Sequence, residues 1–298
     1  PKPNGTVWDI YSDIPDGTPN GNPPYVYHFI TDQCGTASVE GDCYSREHSF
    51  PKSWFGGTVP PMYTDLFHIY PVDQYVNNRH NDNPYGDVGT ANWTSLNGSK
   101  LGPSVTPGFS GIVFEPLDEY KGDIARSYFY MAVRYYTEDG GWPGSAMTTG
   151  SQLKPWAQAM MLQWNTQDPV SQKEVNRNNE IYSQIQHNRN PFIDHPEYAE
   201  MIWGSSTGIG LISKPKYILT VYPVPAINQC TILLPEELAE SNLRLECVSS
   251  SGQSFQPELK GDGKRLTVSI GDLPSGFYLL ILKDDQSGKN LYGKLIRQ

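Results

Sequence analysis

A run rich in glycine and serine, Gly204-Ser205-Ser206-Thr207-Gly208-Ile209-Gly210, divides the chain into two stretches of different hydrophobic pattern. With almost nothing to pack, such a run reads as a flexible linker. Beyond it, apolar runs at Tyr217–Tyr222, Thr231–Leu234, Leu243–Val248, Arg265–Ile270 and Phe277–Leu282 alternate with turn residues. Short strands at that spacing predict an antiparallel sandwich of about 85 to 90 residues. Ahead of it, helical patterns mix with short aromatic segments. The expectation is therefore an α+β chain of two domains, 1–207 and 208–298.

In the first domain, Val7–Tyr11 and Tyr25–Ile30 lie between Pro, Gly and Asn clusters and read as strands or aromatic packing segments, with His28 a core or edge histidine. Pro71 suits the first turn of a helix, and Asp73 suits its positive N-terminal end. Ile124–Tyr136 carries more apolar and aromatic residues than one face can hold, which predicts a buried helix. A helix is expected from Lys154-Pro155-Trp156 to Trp164. Another is expected from Asp168-Pro169 to about His187, with Val175, Ile181, Tyr182 and Ile185 on one stripe. No apolar run approaches the roughly 20 residues that span a bilayer. The chain opens on Pro1 without Met, which suggests a processed or trimmed N-terminus.

Charge runs against a polyanion-binding role. Residues 1–207 carry 12 Lys and Arg against 23 Asp and Glu, while 208–298 are nearly balanced at 10 against 9. A protein that grips nucleic acid is usually basic, so any such grip here must come from a local cationic groove and a bound metal. The four cysteines fall two and two, Cys34 with Cys43 and Cys230 with Cys247, neither pair at Cys-x-x-Cys spacing. This favours two local disulfides in an oxidising compartment; the alternative is four buried free thiols.

The chemistry concentrates in Arg46-Glu47-His48-Ser49-Phe50-Pro51-Lys52-Ser53-Trp54-Phe55. A carboxylate can hold a hard divalent ion, and a neutral imidazole can take a proton from water at neutral pH. Together they suit metal-assisted hydrolysis of a phosphodiester. Neighbours on a regular strand face opposite ways, so Glu47 and His48 can converge only at a strand end, bulge or turn, for which Pro51 gives an opening. Taken alone, a Glu-His pair is more often an ordinary surface pair at a strand edge.

The whole ten-residue string, however, resembles the core motif of the bacterial endonuclease I family, secreted nucleases of the ββα-metal (His-Me finger) fold. The segments around Cys34 and Cys43, Asp65–Asn78, Glu115–Arg126 and Gln186–Asp194 are similar to further blocks of that family. The resemblance implies a secreted, divalent-metal-dependent endonuclease of low specificity, cutting DNA and also RNA to leave 5′-phosphate ends. His48 would be the general base, and Glu47 and Asn77 the ligands of Mg²⁺, with Mn²⁺ or Ca²⁺ as substitutes. Arg46, Lys52, Arg126, Arg177 and Arg189 are the candidate phosphate contacts, and a monomer is expected. For Arg126 a salt bridge within the fold is an equal alternative. Two departures stand out: Phe67 occupies a position where relatives commonly carry histidine, and His80-Asn81-Asp82-Asn83 precedes Pro84-Tyr85-Gly86 where Arg-Ser-Asn is common, leaving open whether Arg79 or His80 reaches the phosphate. In the second domain, Val221–Ala226, Ser250-Ser251-Gly252 and Leu273–Tyr278 resemble the C-terminal sorting domain of the type IX secretion system, which implies export, then release or surface attachment. A rival reading is a surface-anchored nucleic-acid- or glycan-binding protein with a structural ion; a phosphomonoesterase is a third.

Overall fold

The computed structural model describes residues 2, 5–11, 13, 25–204, 219–234, 238, 243–262, 264–285 and 289–298. The expected domain boundary at 207/208 lies outside them. Two antiparallel strands and a helix position the residues singled out above. β1 (Tyr44–His48) pairs with β2 (Ile69–Asp73) from Tyr44↔Asp73 to His48↔Ile69, and α1 (Gln74–His80) begins where β2 ends. Asp73 makes that switch: its Oδ1 accepts the Val76 N–H at 2.9 Å, satisfying a donor that the first helical turn leaves open. Pro71, expected inside the helix, lies instead in β2 opposite Arg46. The hydrogen bonds from Gln74 N–H to Cys43 O and from Ser49 N–H to His68 O put Arg46/Pro71 at a pair that exchanges none, so the missing N–H costs nothing.

A three-stranded sheet follows, β3 (Trp93–Thr94), β4 (Lys100–Pro103) and β5 (Ile112–Glu115), then α2 (Asp118–Arg134). Every residue of α2 from Tyr120 to Val133 is buried, as the density of apolar residues predicts. A short hairpin, β6 (Thr148–Thr149) with β7 (Gln152–Leu153), leads to α3 (Pro155–Gln167), α4 (Gln172–Glu180), α5 (Pro191–Asp194) and α6 (Glu197–Trp203). Glycine is required at 122, where a Cβ would stand 2.1 Å from the Asp168 carbonyl, so the α3–α4 connection can lie directly on α2.

The helix expected from Asp168 to His187 is two pieces. Ser171 and Glu174 form a capping box that sets the start of α4, and a π-helical turn, Ile181–Ile185, ends it. The wider turn rotates the following side chains off the expected stripe: Ile181 is buried, but Tyr182 and Ile185 are exposed.

The second half is the expected sandwich. One sheet runs in the order β11 (Ser254–Phe255), β10 (Leu243–Ser249), β14 (Gly276–Asp284), β15 (Lys289–Arg297); the other runs β12 (Leu259–Asp262), β13 (Arg265–Ser269), β9 (Gln229–Leu233), β8 (Thr220–Tyr222). Cys230 and Cys247 correct the disulfide expectation for this pair: both are free thiols in the sandwich core, beside Ile232, Val268 and Leu280. Burial pushes them up to about 11 and about 12, so they serve as small apolar fillers. The opposite face of the first sheet is not solvated. Val248, Phe277, Leu279, Ile281 and Ile296 join the core of the first half, meeting Val133, Phe192, Tyr198 and Ile202. No helix among the described residues is long and apolar enough to cross a membrane.

Candidate active site

Glu47 and Asn77 come to one face of β1. Side chains alternate along a strand, so Ser45 and Glu47 point together, and Asn77 and His80, three apart on α1, project from one side of the helix toward them. The contacts agree: Asn77 Nδ2 donates to Ser45 Oγ at 3.2 Å, and His80 Nδ1 lies 2.9 Å from Glu47 Oε1. Glu47 is 6% exposed and its Oε1 also accepts from the Tyr11 hydroxyl at 3.1 Å. That hydroxyl stands 2.9 Å from His80 Nδ1 and 2.6 Å from the Tyr85 hydroxyl. Burial first, then the charge of Glu47, hold Tyr11 far above the ordinary tyrosine range, so it keeps its proton to donate.

His48 occupies the last position of β1. The ladder is regular through it and continues to Ser49, so there is no bulge, and the pleat sends His48 to the face opposite Glu47. The ring stacks on Tyr63 with centroids 4.9 Å apart, and Nε2 lies 2.9 Å from the Tyr63 carbonyl. A carbonyl only accepts, so Nε2 carries the hydrogen, and in the neutral ring the lone pair is on Nδ1. Desolvation lowers the His48 pKa below the usual histidine value, outweighing the opposing Tyr63 carbonyl and Glu47 charge, which favours the neutral form. Behind it, His68 is fully buried, donates from Nε2 to the Met62 carbonyl at 2.7 Å and is driven down to about 4, a packed neutral ring.

The five candidate phosphate cations part company. Arg46 and Lys52 are exposed beside Glu47 and His48. Arg126 corrects the phosphate-contact reading and takes the alternative: it is fully buried, bidentate to Glu174 at 2.6 and 2.9 Å, and bonded to Asn165 Oδ1 and the Asp168 carbonyl, bracing α2 against α3 and α4. Arg177 is likewise engaged, donating to the carbonyls of Leu66 and Ile69. Arg189 pairs with Asp194 at 2.6 and 2.7 Å, and its N–H donates to Ser251 O of the sandwich, at the seam between the halves. Of the residues left open in the loop, His80 faces Glu47 rather than solvent, with its Nε2 2.9 Å from the Asn83 carbonyl. Arg79 lies over Tyr75 and Trp93.

Sequence reasoning missed Tyr11, Tyr85 and the second use of Asp73. Asp73 Oδ2 accepts from Tyr27 Oη at 2.5 Å and from Gly41 N–H at 2.8 Å, which fixes the segment before β1 to the helix bearing Asn77. Cys34 and Cys43 are disulfide-bonded in that segment, as one of the two cysteine readings has it. No local pattern ties residue 11 to residue 47. Of the two placements open to His28 the structure takes the edge: it is exposed at an isolated β-bridge to Thr6 and pairs with Asp32.

Residues 1–197 match the family model described as Endonuclease I, and residues 220–298 match that of the secretion system C-terminal sorting domain. The chain is 38% identical over 208 residues to an extracellular ribonuclease of Bacillus subtilis (strain 168), covering 66% of this chain and 67% of that one. It is 38% identical over 206 residues to the extracellular ribonuclease of Bacillus amyloliquefaciens, with the same two shares. To endonuclease-1 of Buchnera aphidicola subsp. Baizongia pistaciae it is 29% identical over 130 residues, 44% of this chain and 46% of the relative. The chain belongs to the Endonuclease I family of nucleases and carries a secretion sorting domain at its C-terminal end, which makes it a secreted or cell-surface protein.

Proposed function

We propose that the chain is a divalent-metal-dependent endonuclease of low sequence specificity, hydrolysing phosphodiester bonds of DNA and also of RNA, with β1–β2–α1 as its ββα-metal site. One observation carries the reading: Glu47 and Asn77 meet on one side of β1 while the strand ends on a neutral, carbonyl-tethered His48. In this reading the phosphodiester straddles the edge of β1, with the cation on the Glu47 side and the imidazole on the other. The names of the relatives, a ribonuclease and an endonuclease, support the substrate class.

The donor set fits a hard cation. Glu47 Oε2 and Asn77 Oδ1 take no hydrogen bond from a described residue, since Oε1 and Nδ2 carry the contacts. No group of three or more His, Cys, Asp or Glu gathers among the described residues to hold a metal. Two oxygen ligands, with the remainder left to water and substrate, suit Mg²⁺, with Mn²⁺ or Ca²⁺ as alternatives. Bound there, the cation supplies positive charge against the negative charge that builds on the phosphate and the departing 3′ oxygen.

The protein's own residues do the rest. His48 Nδ1 takes the proton of the attacking water, the Tyr63 carbonyl and ring having fixed the imidazole's tautomer and orientation. His80 and Tyr11 hold Glu47 in place. Arg46 and Lys52 meet backbone phosphates, contacts that carry no base information and so give low specificity, and hydrolysis leaves 5′-phosphate ends. The nuclease half would span 1–207 and act as a monomer, with 208–298 addressing the type IX secretion machinery. Supercoiled plasmid and a structured RNA, incubated with Mg²⁺ and with excess chelator, test the proposal: cutting of both in Mg²⁺ and of neither in chelator is expected. No cutting in either condition would replace it with a surface-anchored binding protein holding a structural ion.

A further inference from the structure

The stretch from Tyr25 to Cys43 fastens itself to the catalytic strand and yet presents apolar side chains to solvent. Ile30 is 71% exposed, more than any other large apolar residue described, and its neighbour Phe29 is 64% exposed. Single exposed apolar residues are ordinary. An adjacent pair with one member held in a costly conformation is not. Ile30 sits at φ +71°, a region that a β-branched residue enters only when its surroundings enforce it.

The surroundings do so. Ile30 N–H donates to the Tyr44 hydroxyl at 2.9 Å, Thr31 N–H to Phe29 O at 2.9 Å, and His28 N–H to Asp32 Oδ2 at 2.6 Å. Tyr44 N–H returns to Asp32 O at 2.9 Å, and the Cys34–Cys43 disulfide closes the base. The tip is thus a rigid point rather than a trailing loop. Its place follows from the strand: Tyr44, Arg46 and His48 share one face of β1, and it is the Tyr44 hydroxyl that carries the tip. Four residues of strand separate Tyr44 from His48, about 13 Å. For a substrate that runs along β1, at about 3.4 Å per base on each strand, that span sets the tip some three to four bases from the bond over His48.

We infer that Phe29 and Ile30 form a wedge that contacts the faces of substrate bases and unstacks a step a few nucleotides from the cleaved bond. The contact is apolar and reads no base edge, so it adds affinity without specificity. This rests on the proposed nuclease function, because it takes the phosphate to lie over His48. The exposed exocyclic edges that hydrogen-bonding readers use are left untouched, which leaves duplex and single strand of any sequence as substrates.

The test pairs the parent with the double variant Phe29→Ser, Ile30→Ser, both surface positions, and with the conservative Phe29→Trp. A short DNA carrying 2-aminopurine at successive positions is bound in chelator, where unstacking raises its fluorescence, and cleavage is then followed in Mg²⁺. The parent should raise fluorescence at a position three to four bases from the cut. The double variant should lose that signal and bind about 5- to 150-fold more weakly, the range expected for loss of one stacked base. Phe29→Trp should keep both, while kcat and the salt dependence of binding stay parental, because no phosphate contact is lost. Unchanged affinity and fluorescence in the double variant overturn the wedge, as does a parent that cuts without unstacking any probe, with the nuclease function intact. A parent that unstacks the probe but never cuts leaves the wedge standing and removes the nuclease function instead.

Discussion

Tyr11→Phe isolates the support beneath Glu47. Removing one hydroxyl takes away the 3.1 Å bond to Glu47 Oε1, the 2.9 Å contact with His80 Nδ1 and the 2.6 Å contact with the Tyr85 hydroxyl. Tyr85 is fully buried, and its hydroxyl then has no partner among the described residues. Orphaning a buried polar group costs about 1–3 kcal/mol. In a domain of roughly 200 residues each kcal/mol moves Tm by about 2–4 °C, so Tm should fall by about 2–12 °C. Glu47 keeps its bond to His80, so it remains in place but less firmly held. Loss of such a supporting bond typically weakens metal binding by about 10- to 100-fold. Differential scanning calorimetry reads the first effect, and the Mg²⁺ concentration that half-saturates plasmid nicking reads the second. A Tyr11→Phe protein with parental Tm and parental Mg²⁺ dependence would refute the claim that this network positions the carboxylate.

Three further substitutions act through buried or partly buried ionisable groups. Arg126→Met strands the buried Glu174 carboxylate and should cost about 3–5 kcal/mol in urea unfolding, while the salt dependence of nucleic-acid binding stays parental, since the guanidinium never meets phosphate. His68 is held at about 4 against an ordinary 6.5, so the unfolded chain binds more protons between those values and stability falls as pH drops through that window, by up to about 3 kcal/mol; His68→Phe should flatten that part of the acid-unfolding profile. Asp168 goes the other way: burial, then Asp123, raise it to about 7, so folding favours its protonated form and the advantage is lost as pH rises from about 4 to about 7. Asp168→Asn should therefore be more stable than the parent at pH 8, by up to about 4 kcal/mol, and not at pH 4, as read by urea midpoints.

What could be read from the chain depended on how local its cause was. The helix that buries Tyr120 to Val133 is written in its own residues, and so is the cap at Asp73. The sandwich was legible where strands are plainly apolar, at 243–248 and 277–282, but β15 was missed because Gly293 and the charged Lys289, Lys294 and Arg297 break its run. Pro71 misled because a proline is as harmless at a strand pair without hydrogen bonds as in a first helical turn. The three central residues were found through a resemblance, and the geometry then placed Glu47 and Asn77 together. The side chains that hold Glu47, namely Tyr11 and His80 with Tyr85 behind Tyr11, are joined across long stretches of sequence with no repeating interval to reveal them. The same limit applies to Arg126, whose burial depends on Glu174, a residue that also caps α4.

The role of His48 is decided most directly by single-turnover plasmid nicking by His48→Ala across a Mg²⁺ titration, with Glu47→Ala alongside. Losing a general base should slow the chemical step of His48→Ala by about 10²- to 10⁴-fold and leave its half-saturating Mg²⁺ parental, whereas Glu47→Ala should demand more Mg²⁺. A His48→Ala protein that nicks as fast as the parent at every Mg²⁺ concentration would contradict the assignment of proton removal to the imidazole at the end of β1.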